Sequence, residues 1–490
     1  MAGILSFGAY VPRLRLQRDV VAAAHAWFNP GLAALAKGER AMANWDEDSL
    51  TMAVEAGRDC LDGLDRDRVA QLVLASTTFP FADRQNSVVV KEALDLPDTV
   101  GAMDVGGSQR AGTTALLQAL RAAEGGAGEV LCLAAEARKP RPASEQELTA
   151  GDAAAGLLVG SGAGVAELVG AHSVSVDFVD HFRASGADHD YEWEARWVRD
   201  EGYAKIVPAA IRAALDAAGL GAADVARFVM AAPVRGVNEA AARAVGIAPA
   251  AVCDPLMRVM GDAGCAQPLI LLAHALESSA AGEIVVLVGF GQGCDVLIFR
   301  ATGAAPATGL GVSGWLARRE AEGNYLKYLS FRGAIALERG MRAEFGQKTA
   351  LTALYRNRRA VLGLVGGRCT ETGTVQFPKS PVSVGHNARM VDTQEDYPLA
   401  DRTARVLTFT ADRLTYSPDP PAYYGSVDFD GGGRIMIDFS DVDDGAVEVG
   451  MAVRMMFRIK AFDEINGFTR YFWKAVPDYR AAVDPGRGKQ

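Results

Sequence analysis

Two kinds of segment alternate along the first 310 residues: short apolar runs rich in β-branched residues, and longer stretches rich in alanine. The apolar runs predict strands and the alanine-rich stretches predict helices, an alternation typical of a layered α/β fold. Because each of two successive parts ends in a glycine-rich strand, we predict a duplicated α/β fold with halves at 1–170 and 171–312. The predicted strands are 71–74, 129–134, 154–159, 228–230 and 283–289, and the predicted helices lie near 87–94, 208–218 and 268–277.

The pattern changes after residue 312. Residues 315–337, rich in Arg, Glu, Tyr and Leu, predict an extended helical connector, which we bound at 313–359. From 360 to 490 apolar and polar residues alternate, with glycine-rich turns between the runs, as in antiparallel strands. A small barrel is the expected closure, because it removes the exposed edges of a sheet. The predicted strands of this last domain are 406–410, 423–429, 434–438 and 453–459.

Composition and charge exclude several classes of protein. The chain has 490 residues, 49% of them hydrophobic, which is enough for two or three domains with sizeable cores. Its net charge of −10 and its short basic runs lack the electrostatic footprint of nucleic-acid binding and oppose an anionic membrane surface. The first residues lack the pattern of a signal peptide, no apolar stretch would span a bilayer, and six scattered cysteines suggest buried thiols. We therefore predict a cytoplasmic protein without nucleic-acid or membrane partners.

A turn that leads into a buried helix carries the first candidate chemistry. Residues 107–117, Gly-Ser-Gln-Arg-Ala-Gly-Thr-Thr-Ala-Leu-Leu, predict a strand turning into such a helix. The unpaired N–H groups and the dipole at a helix start favour a thiolate or a developing oxyanion. The residue at this place is Gln109, whose side chain cannot be acylated. A site suited to a nucleophile therefore holds an amide.

Four motifs occur in order along the first 310 residues: Gly8-Ala-Tyr-Val-Pro-Arg, Asn44-Trp-Asp-Glu-Asp-Ser-Leu-Thr-Met-Ala-Val-Glu-Ala, Arg110-Ala-Gly-Thr-Thr and Gly289-Phe-Gly-Gln-Gly. Together they resemble the hydroxymethylglutaryl-CoA synthase branch of the thiolase superfamily. This resemblance implies a five-layered fold that acts on CoA thioesters. It also implies no covalently bound cofactor, with a coenzyme A thioester as substrate or ligand.

A second resemblance covers about residues 360 to 480 and rests on Gly367-Arg-Cys, Val375-Gln-Phe-Pro and Gly450-Met-Ala-Val-Arg. These motifs resemble the OB-fold protein, often led by a zinc ribbon, that accompanies thiolase-like enzymes acting on acyl-CoA. One thiolate and one imidazole cannot close a tetrahedral zinc site, so we expect no metal and a segment held instead by Phe377 and Pro378. The four ribbon positions fall on Cys369, Thr372, Ser383 and His386.

The family's three catalytic groups are all replaced in this chain. The resemblance implies a cysteine that takes up the acyl group, a glutamate acid/base and a histidine that polarises the second substrate. Their positions fall on Gln109, Thr77 and Ala231 respectively, and a looser match places the family's asparagine on Asp262. Losing nucleophile, acid/base and polarising group together excludes the acyl-enzyme mechanism. The chain is therefore not expected to be a hydroxymethylglutaryl-CoA synthase.

Two function classes stay open. One is a lyase or acyltransferase that acts on a carbon–carbon bond of a CoA thioester by retro-aldol cleavage, decarboxylation or condensation, without a cysteine acyl-enzyme. In related ketosynthases a glutamine at the position of Gln109 is associated with decarboxylation, and by analogy its amide would support an enolate. The other is a noncatalytic scaffold that binds acyl-CoA, or a thiolase-like partner, and positions substrate.

Enolate chemistry requires a group that transfers protons, and Asp262 is the first candidate. The other candidate site residues are Cys265, His181, Thr77 and the pair Asp83-Arg84. Asp262 precedes a predicted helix and is either the proton-transferring group or an N-cap. Cys265 is either a substitute nucleophile or an inert buried thiol. His181 has acidic and basic neighbours in a predicted loop and is either a substrate contact or a surface histidine. Thr77 occupies the lost acid/base position, and Asp83-Arg84 is a replacement ion pair or a structural one.

We also expect a homodimer. The apolar run 129–134 would be buried more readily across a two-fold axis than left exposed.

Overall fold

The computed structural model describes residues 2–162, 164–304, 309–339, 350–385 and 391–480. The chain forms two compact units. The large unit comprises Met1–Asn44, Asp48–Val88 and Pro97–Ala334, and the small unit comprises Trp45–Glu47, Val89–Leu96 and Ile335–Gln490. No helix of the described residues is both long enough and apolar enough to cross a membrane.

The described residues before position 335 form these strands: β1 Ala2–Tyr10, β2 Leu14–Gln17, β3 Glu39–Met42, β4 Val69–Ala75, β5 Gly101–Val105, β6 Glu129–Glu136, β7 Ala153–Ser161, β8 Ala166–Ser175, β9 His181–Phe182, β10 Tyr191–Glu192, β11 Val225–Met230, β12 Ile284–Phe290, β13 Gly293–Ala301 and β14 Glu320–Glu322. The α-helices of the same region are α1 Arg18–His25, α2 Ser49–Cys60, α3 Asn86–Ala93, α4 Ala111–Glu124, α5 Glu145–Thr149, α6 Ala195–Trp197, α7 Val207–Ala218, α8 Val237–Val245, α9 Gln267–Leu276, α10 Gly311–Ala317 and α11 Tyr325–Phe331.

A mixed nine-stranded sheet is the centre of the large unit. Its strand order is β11-β12-β13-β8-β1-β7-β6-β4-β5, and β4, β5 and β6 are parallel to one another. The predicted strand and helix positions in this region agree with β4, β6, β7, β11, β12, α3, α7 and α9, so the α/β prediction is confirmed.

The buried helices α4 and α9 begin next to each other, close to Gln109. Helix α4 follows β5 after a short turn, as the sequence predicts, and α9 occupies the equivalent place in the second half. A Cβ on Gly112 of α4 would collide with the carbonyl oxygen of Cys265, at the turn that leads into α9. Only glycine permits this close approach. The turn before α4 and the turn before α9 therefore lie side by side.

The strand expected to form a dimer interface is an interior strand. Residues 129–134 belong to β6, which pairs with β4 on one side and β7 on the other. Val130 to Ala135 are fully buried inside the large unit, so this run needs no second copy to cover it. The two edge strands of the sheet are β11 and β5, and in β5 Met103 is 46% exposed.

The predicted extended helical connector is not one continuous helix. Between 311 and 331 the structure has two short helices, α10 and α11, separated by β14. Strand β14 pairs in parallel with β2, so this stretch belongs to a sheet of the large unit. The Arg, Glu, Tyr and Leu content is typical of a helix. The partner of β14 is β2, some 300 residues earlier in the chain, so no local pattern indicates this strand.

The small unit is mainly antiparallel β, as predicted. A five-stranded sheet has the order β20 Arg434–Asp438, β19 Ala422–Phe429, β18 Thr403–Asp412, β21 Ala452–Asp463 and β22 Phe468–Pro477. An isolated bridge pairs Phe439, directly after β20, with Ala475 of β22. The sequence did not predict the last strand. The other elements of the small unit are α12 Leu351–Arg356, α13 Arg358–Val361, β15 Val365–Cys369, β16 Val375–Gln376 and β17 Gln394–Pro398.

Candidate functional site

Gln109 lies in the turn between β5 and α4, and its side chain contacts a histidine from another part of the chain. The amide nitrogen Nε2 of Gln109 lies 3.1 Å from Nε2 of His181. An amide nitrogen only donates, so this imidazole nitrogen accepts and carries no proton. The amide oxygen of Gln109 is buried and has no hydrogen-bond partner within the part of the chain that the structure describes.

His181 is oriented by the residue that precedes it. Its Nδ1 lies 3.1 Å from Oδ2 of Asp180, and the two side chains are 19% and 15% exposed. Nδ1 is therefore the ring nitrogen that donates to the carboxylate. This arrangement leaves Nε2 as a basic nitrogen directed at Gln109, which is how a carboxylate prepares a histidine to act as a base.

Two cavities meet at this group of side chains. One, of about 290 Å³, is lined by Asp262, Tyr203 and Phe290 among others, and we call it the Asp262 cavity. The other, of about 360 Å³, is lined by Thr77 and Phe81 among others, and we call it the Phe81 cavity. Both cavities are lined by Gln109, Asp180 and His181. A substrate that occupied both cavities would place its central atoms beside Nε2 of His181.

The Asp262 cavity holds a carboxyl group whose pKa is raised. Burial raises the pKa of Asp262, against the opposing effects of Arg138, of the Gly264 N–H and of His181. The Gly264 N–H donates to Oδ1 of Asp262 at 3.1 Å, so the expected helix-start contact is present beside α9. Burial also raises the pKa of Tyr203 well above its ordinary value, which keeps this phenol protonated in the same cavity. A carboxyl group and a phenol thus accompany His181.

Thr77, at the position where the resemblance places the acid/base glutamate, belongs to a second hydrogen-bonded network. Glu136, at the end of β6, is fully buried. Its Oε1 accepts from the backbone N–H of Thr77 at 2.6 Å, and its Oε2 accepts from the hydroxyls of Thr77 and Thr78, each at 3.1 Å. The Cys265 thiol donates to Oε1 at 2.9 Å. Four donors therefore satisfy one carboxylate, and Thr77 has a structural partner.

Cys265 lacks the properties of a nucleophile. Its side chain is fully buried, and burial together with the Glu136 charge raises the pKa of the thiol well above its ordinary value. A thiol that stays protonated and donates to a carboxylate reacts poorly. Of the two hypotheses for this cysteine, the structure therefore favours the inert thiol.

The structure brings four of the five predicted side chains to the two cavities. Gln109 and His181 line both, Asp262 lines the Asp262 cavity with them, and Thr77 lines the Phe81 cavity with them. Cys265 lines neither cavity. The Arg84 guanidinium lies 4.5 Å from the Phe81 ring centre, and Asp83 is exposed, so this pair is not at the Gln109 contact.

Sequence reasoning missed several residues of the site. The acid beside His181 was visible in Val179-Asp-His-Phe-Arg, but its role as the partner of Nδ1 requires the hairpin geometry. Tyr203 lies in a stretch without a motif, and Glu136 ends an apolar strand, where no signal marks a functional group. The residues added by the structure are Asp180, Tyr203, Glu136, Arg138 and Asp190.

Two of the four residues at the ribbon positions form hydrogen bonds with threonine hydroxyls in the small unit. The thiol of Cys369 lies 3.1 Å from the hydroxyl of Thr393, and Thr372 donates to the hydroxyl of Thr374 at 2.9 Å. His386 lies outside the described residues. In the described ranges no group of three or more His, Cys, Asp or Glu side chains is arranged to hold a metal. The absence of zinc stays a prediction.

Two family models match this chain. The model for the C-terminal part of 3-oxoacyl-[acyl-carrier-protein] synthase III matches residues 215–298, and the model for the C-terminal OB-fold domain of ChsH2 matches residues 397–458. The hydroxymethylglutaryl-CoA synthase of Pyrobaculum aerophilum is 27% identical over 310 residues, which is 61% of this chain and 87% of that protein. The same enzyme from Methanocella arvoryzae is 26% identical over 304 residues, 59% of this chain and 85% of that protein.

Solved structures show the same fold. MvaS in complex with 3-hydroxy-3-methylglutaryl coenzyme A is similar with a TM-score of 0.57 and 21% identity, over 70% of this chain and 95% of that one. An HMG-CoA synthase complexed with CoA gives a TM-score of 0.54 and 16% identity, over 81% and 99%. OleA of Xanthomonas campestris gives 0.55 and 18%, over 61% and 98%. The chain therefore has a thiolase-like fold, with similarity to hydroxymethylglutaryl-CoA synthases in its first part and to an OB-fold family in its last.

Proposed function

We propose that this protein cleaves a β-hydroxyacyl-CoA by a retro-aldol reaction, or forms one by the reverse condensation, with His181 as the base and no acyl-enzyme. The observation that carries this proposal is the hydrogen-bonded series Asp180–His181–Gln109 at the meeting point of two cavities. A base between two cavities suits a substrate whose central carbon bears a hydroxyl and whose two arms extend in opposite directions.

Coenzyme A as the carrier is supported by the relatives. Two of the similar solved structures hold CoA or 3-hydroxy-3-methylglutaryl coenzyme A. In this chain Arg235 is exposed among the residues that line the Asp262 cavity, where a guanidinium would attract the phosphates of the CoA arm. We therefore place the thioester arm in the Asp262 cavity and the β-substituent in the Phe81 cavity.

The proposed reaction requires a neutral His181 and a protonated Asp262. The β-hydroxyl first replaces the Gln109 N–H at Nε2 of His181, because this nitrogen has a single lone pair. Nε2 then takes the proton of the hydroxyl, the bond between the α and β carbons breaks, and its electron pair passes to the thioester enolate. The β-carbon leaves as an aldehyde or ketone. Protonated Asp262 then gives its proton to the α-carbon, and the proton held by His181 restores Asp262, so no proton is gained or lost overall.

Gln109 has a role at the enolate stage. One N–H of its amide is used by His181 until the β-hydroxyl replaces it, and the second is available to the thioester oxygen, where negative charge develops. An amide cannot form an acyl-enzyme, so the thioester stays on CoA throughout. This accounts for a glutamine where a cysteine would otherwise be.

Decarboxylation fits the site less well than retro-aldol cleavage. Loss of carbon dioxide needs no base, and a substrate carboxylate would meet the negative charge of Asp180 beside the reacting carbon. The oriented histidine would have no task in such a reaction. The geometry favours a substrate with a hydroxyl over one with a carboxylate at the β position.

The test is incubation of the purified protein with three matched CoA thioesters, bearing a β-hydroxyl, a β-keto and a β-carboxyl group. We expect a new carbonyl compound and a shortened acyl-CoA from the β-hydroxyl substrate alone, measured by mass spectrometry. Cleavage of the β-carboxyl substrate instead would contradict the proposal. Activity that appears only with a thiolase-like partner, unchanged by His181→Gln, would favour the noncatalytic scaffold.

We also propose that the protein forms a homodimer, through the edge of the large sheet. The outer side of β5 is unpaired in the described residues and can add a strand from a second copy. Sedimentation of a monomer at micromolar concentration would contradict this.

A further inference from the structure

His181 lies on a hairpin that has few contacts of its own. Strands β9 and β10 are joined by only two residue pairs, Phe182 with Tyr191 and His181 with Glu192. An isolated two-stranded hairpin of this size is marginally stable in water at best. The position of the imidazole therefore depends on side chains that attach the hairpin to the rest of the large unit.

One buried carboxylate of the hairpin, that of Asp190, contributes to this attachment. Oδ2 of Asp190 accepts from Nε of Arg138 at 3.1 Å and from a second nitrogen of the same guanidinium. Oδ1 of Asp190 accepts from Nη1 of Arg183 at 2.9 Å. The Asp190 and Arg138 side chains are each only 7% exposed, and that of Arg183 is 26% exposed. Each oxygen of one buried carboxylate is thus bound by a different arginine.

These contacts form a closed circuit with the Glu136 network. Arg183 also donates to the carbonyl oxygen of Thr77, whose N–H and hydroxyl donate to Glu136. Arg138 follows Glu136 by two residues in the chain and returns to Asp190. Burial alone would raise the pKa of Asp190, but the two arginines hold it below its ordinary value, so the carboxylate stays charged at neutral pH.

We infer that Asp190 is a positioning residue that holds the Asp180–His181 hairpin against Gln109 through Arg138 and Arg183. It touches no reacting atom. Its loss would leave His181 chemically intact but displaced, and a displacement near 1 Å costs about 100-fold in rate. The inference rests on the proposed role of His181 as a base.

The test compares Asp190→Asn with Asp188→Asn, which removes an exposed carboxylate from the same hairpin. We expect Asp190→Asn to lower kcat by about 100-fold, with KM for the β-hydroxyacyl-CoA within a few-fold of wild type. Asp190→Glu should restore part of the rate, and Asp188→Asn should leave it unchanged. A merely structural loss would lower apparent kcat only through the amount of folded enzyme, so kcat is calculated per folded molecule, with the folded fraction measured by circular dichroism.

A second readout needs no substrate. Diethyl pyrocarbonate modifies accessible imidazoles, and peptide mass spectrometry gives the rate at His181 with His172 and His274 as internal references. We expect several-fold faster modification of His181 in Asp190→Asn and in Arg183→Gln, the latter being the milder change because Arg183 is partly exposed. Wild-type rates at His181 in Arg183→Gln and in any folded Asp190 variant would overturn the inference. If His181→Gln keeps full turnover, the proposed function fails, and the modification rates still decide whether Asp190 fixes His181.

Discussion

Two hydrogen-bonded networks adjoin the turns before α4 and α9, and they differ in whether their polar groups can contact a substrate. In the first, Glu136 is fully buried and accepts from Thr77, Thr78 and Cys265, so its donors and acceptors are matched. In the second, Asp180, His181 and Gln109 line cavities, and the Gln109 oxygen has no partner among the described residues. A matched, dry network stabilises a fold, whereas an open one can bind and transfer protons.

The matched network contains Thr77, at the position where the resemblance places the acid/base glutamate. The open network contains His181 from the β9–β10 hairpin, and Asp262 lines the same cavity. We propose that proton transfer in this protein uses the open network.

The largest expected effect separates the two networks directly. His181→Gln should lower turnover of the β-hydroxyacyl-CoA by about 10²–10⁴-fold, because a general base is removed. Cys265→Ala, in the matched network, should leave turnover within a few-fold, because the thiol donates only to Glu136. Steady-state kinetics of the two variants checks this. Loss of activity in Cys265→Ala with activity retained in His181→Gln would reverse the assignment.

Gln109→Ala should have the next largest effect on turnover. Removal of one donor to a developing oxyanion costs about 10²–10³-fold in kcat. Affinity for free CoA, measured by calorimetry, should stay within a few-fold, because the contacts to the nucleotide arm are unchanged. Parallel loss of CoA affinity would show that Gln109 supports binding and not the enolate.

In the matched network the expected effect is on stability. Glu136→Ala leaves buried donors without an acceptor and should lower the free energy of unfolding by about 1–3 kcal/mol. Glu136→Gln keeps an acceptor and should cost less. Urea unfolding of both variants measures the difference. Wild-type stability in Glu136→Ala would show that the network does not hold the fold.

The smallest effect concerns the pH dependence of stability. The folded-state pKa of Asp262 is raised from its ordinary value of 3.8 by burial, so its contribution to stability is present below that value and is lost as pH rises through the folded pKa. Asp262→Asn removes the titrating group. Its stability relative to wild type should therefore increase as pH rises from 4 toward neutral, by urea unfolding at several pH values. A difference that does not vary with pH would contradict the raised pKa.

Much of the fold could be predicted from local pattern. The strand 434–438 coincides with β20, and the strand-to-helix turn at Gln109 is where the sequence placed it. Strand β22 was missed, although Trp473 and Ala475 within it are fully buried. The role of residues 129–134 was also mistaken, because an apolar strand looks the same whether its neighbours are in the same chain or in a second copy.

The site was predictable in part, for a physical reason. Gln109, His181 and Asp262 could be named because each departs from a motif or has charged neighbours in sequence. Their meeting could not be predicted, because it depends on a hairpin held by Arg138 and Asp190. Contacts between side chains far apart in sequence leave no local signal.

The most direct test of the central claim, enolate chemistry without an acyl-enzyme, is deuterium exchange. Acetyl-CoA and propionyl-CoA are incubated with the protein in D₂O, and mass spectrometry follows both the acyl group and the intact protein. We predict deuterium at the α-carbon with wild type and with Cys265→Ala, none with Asp262→Asn, and no acyl group added to the protein. A protein mass increased by the acyl group, or no exchange with either thioester, would contradict the account.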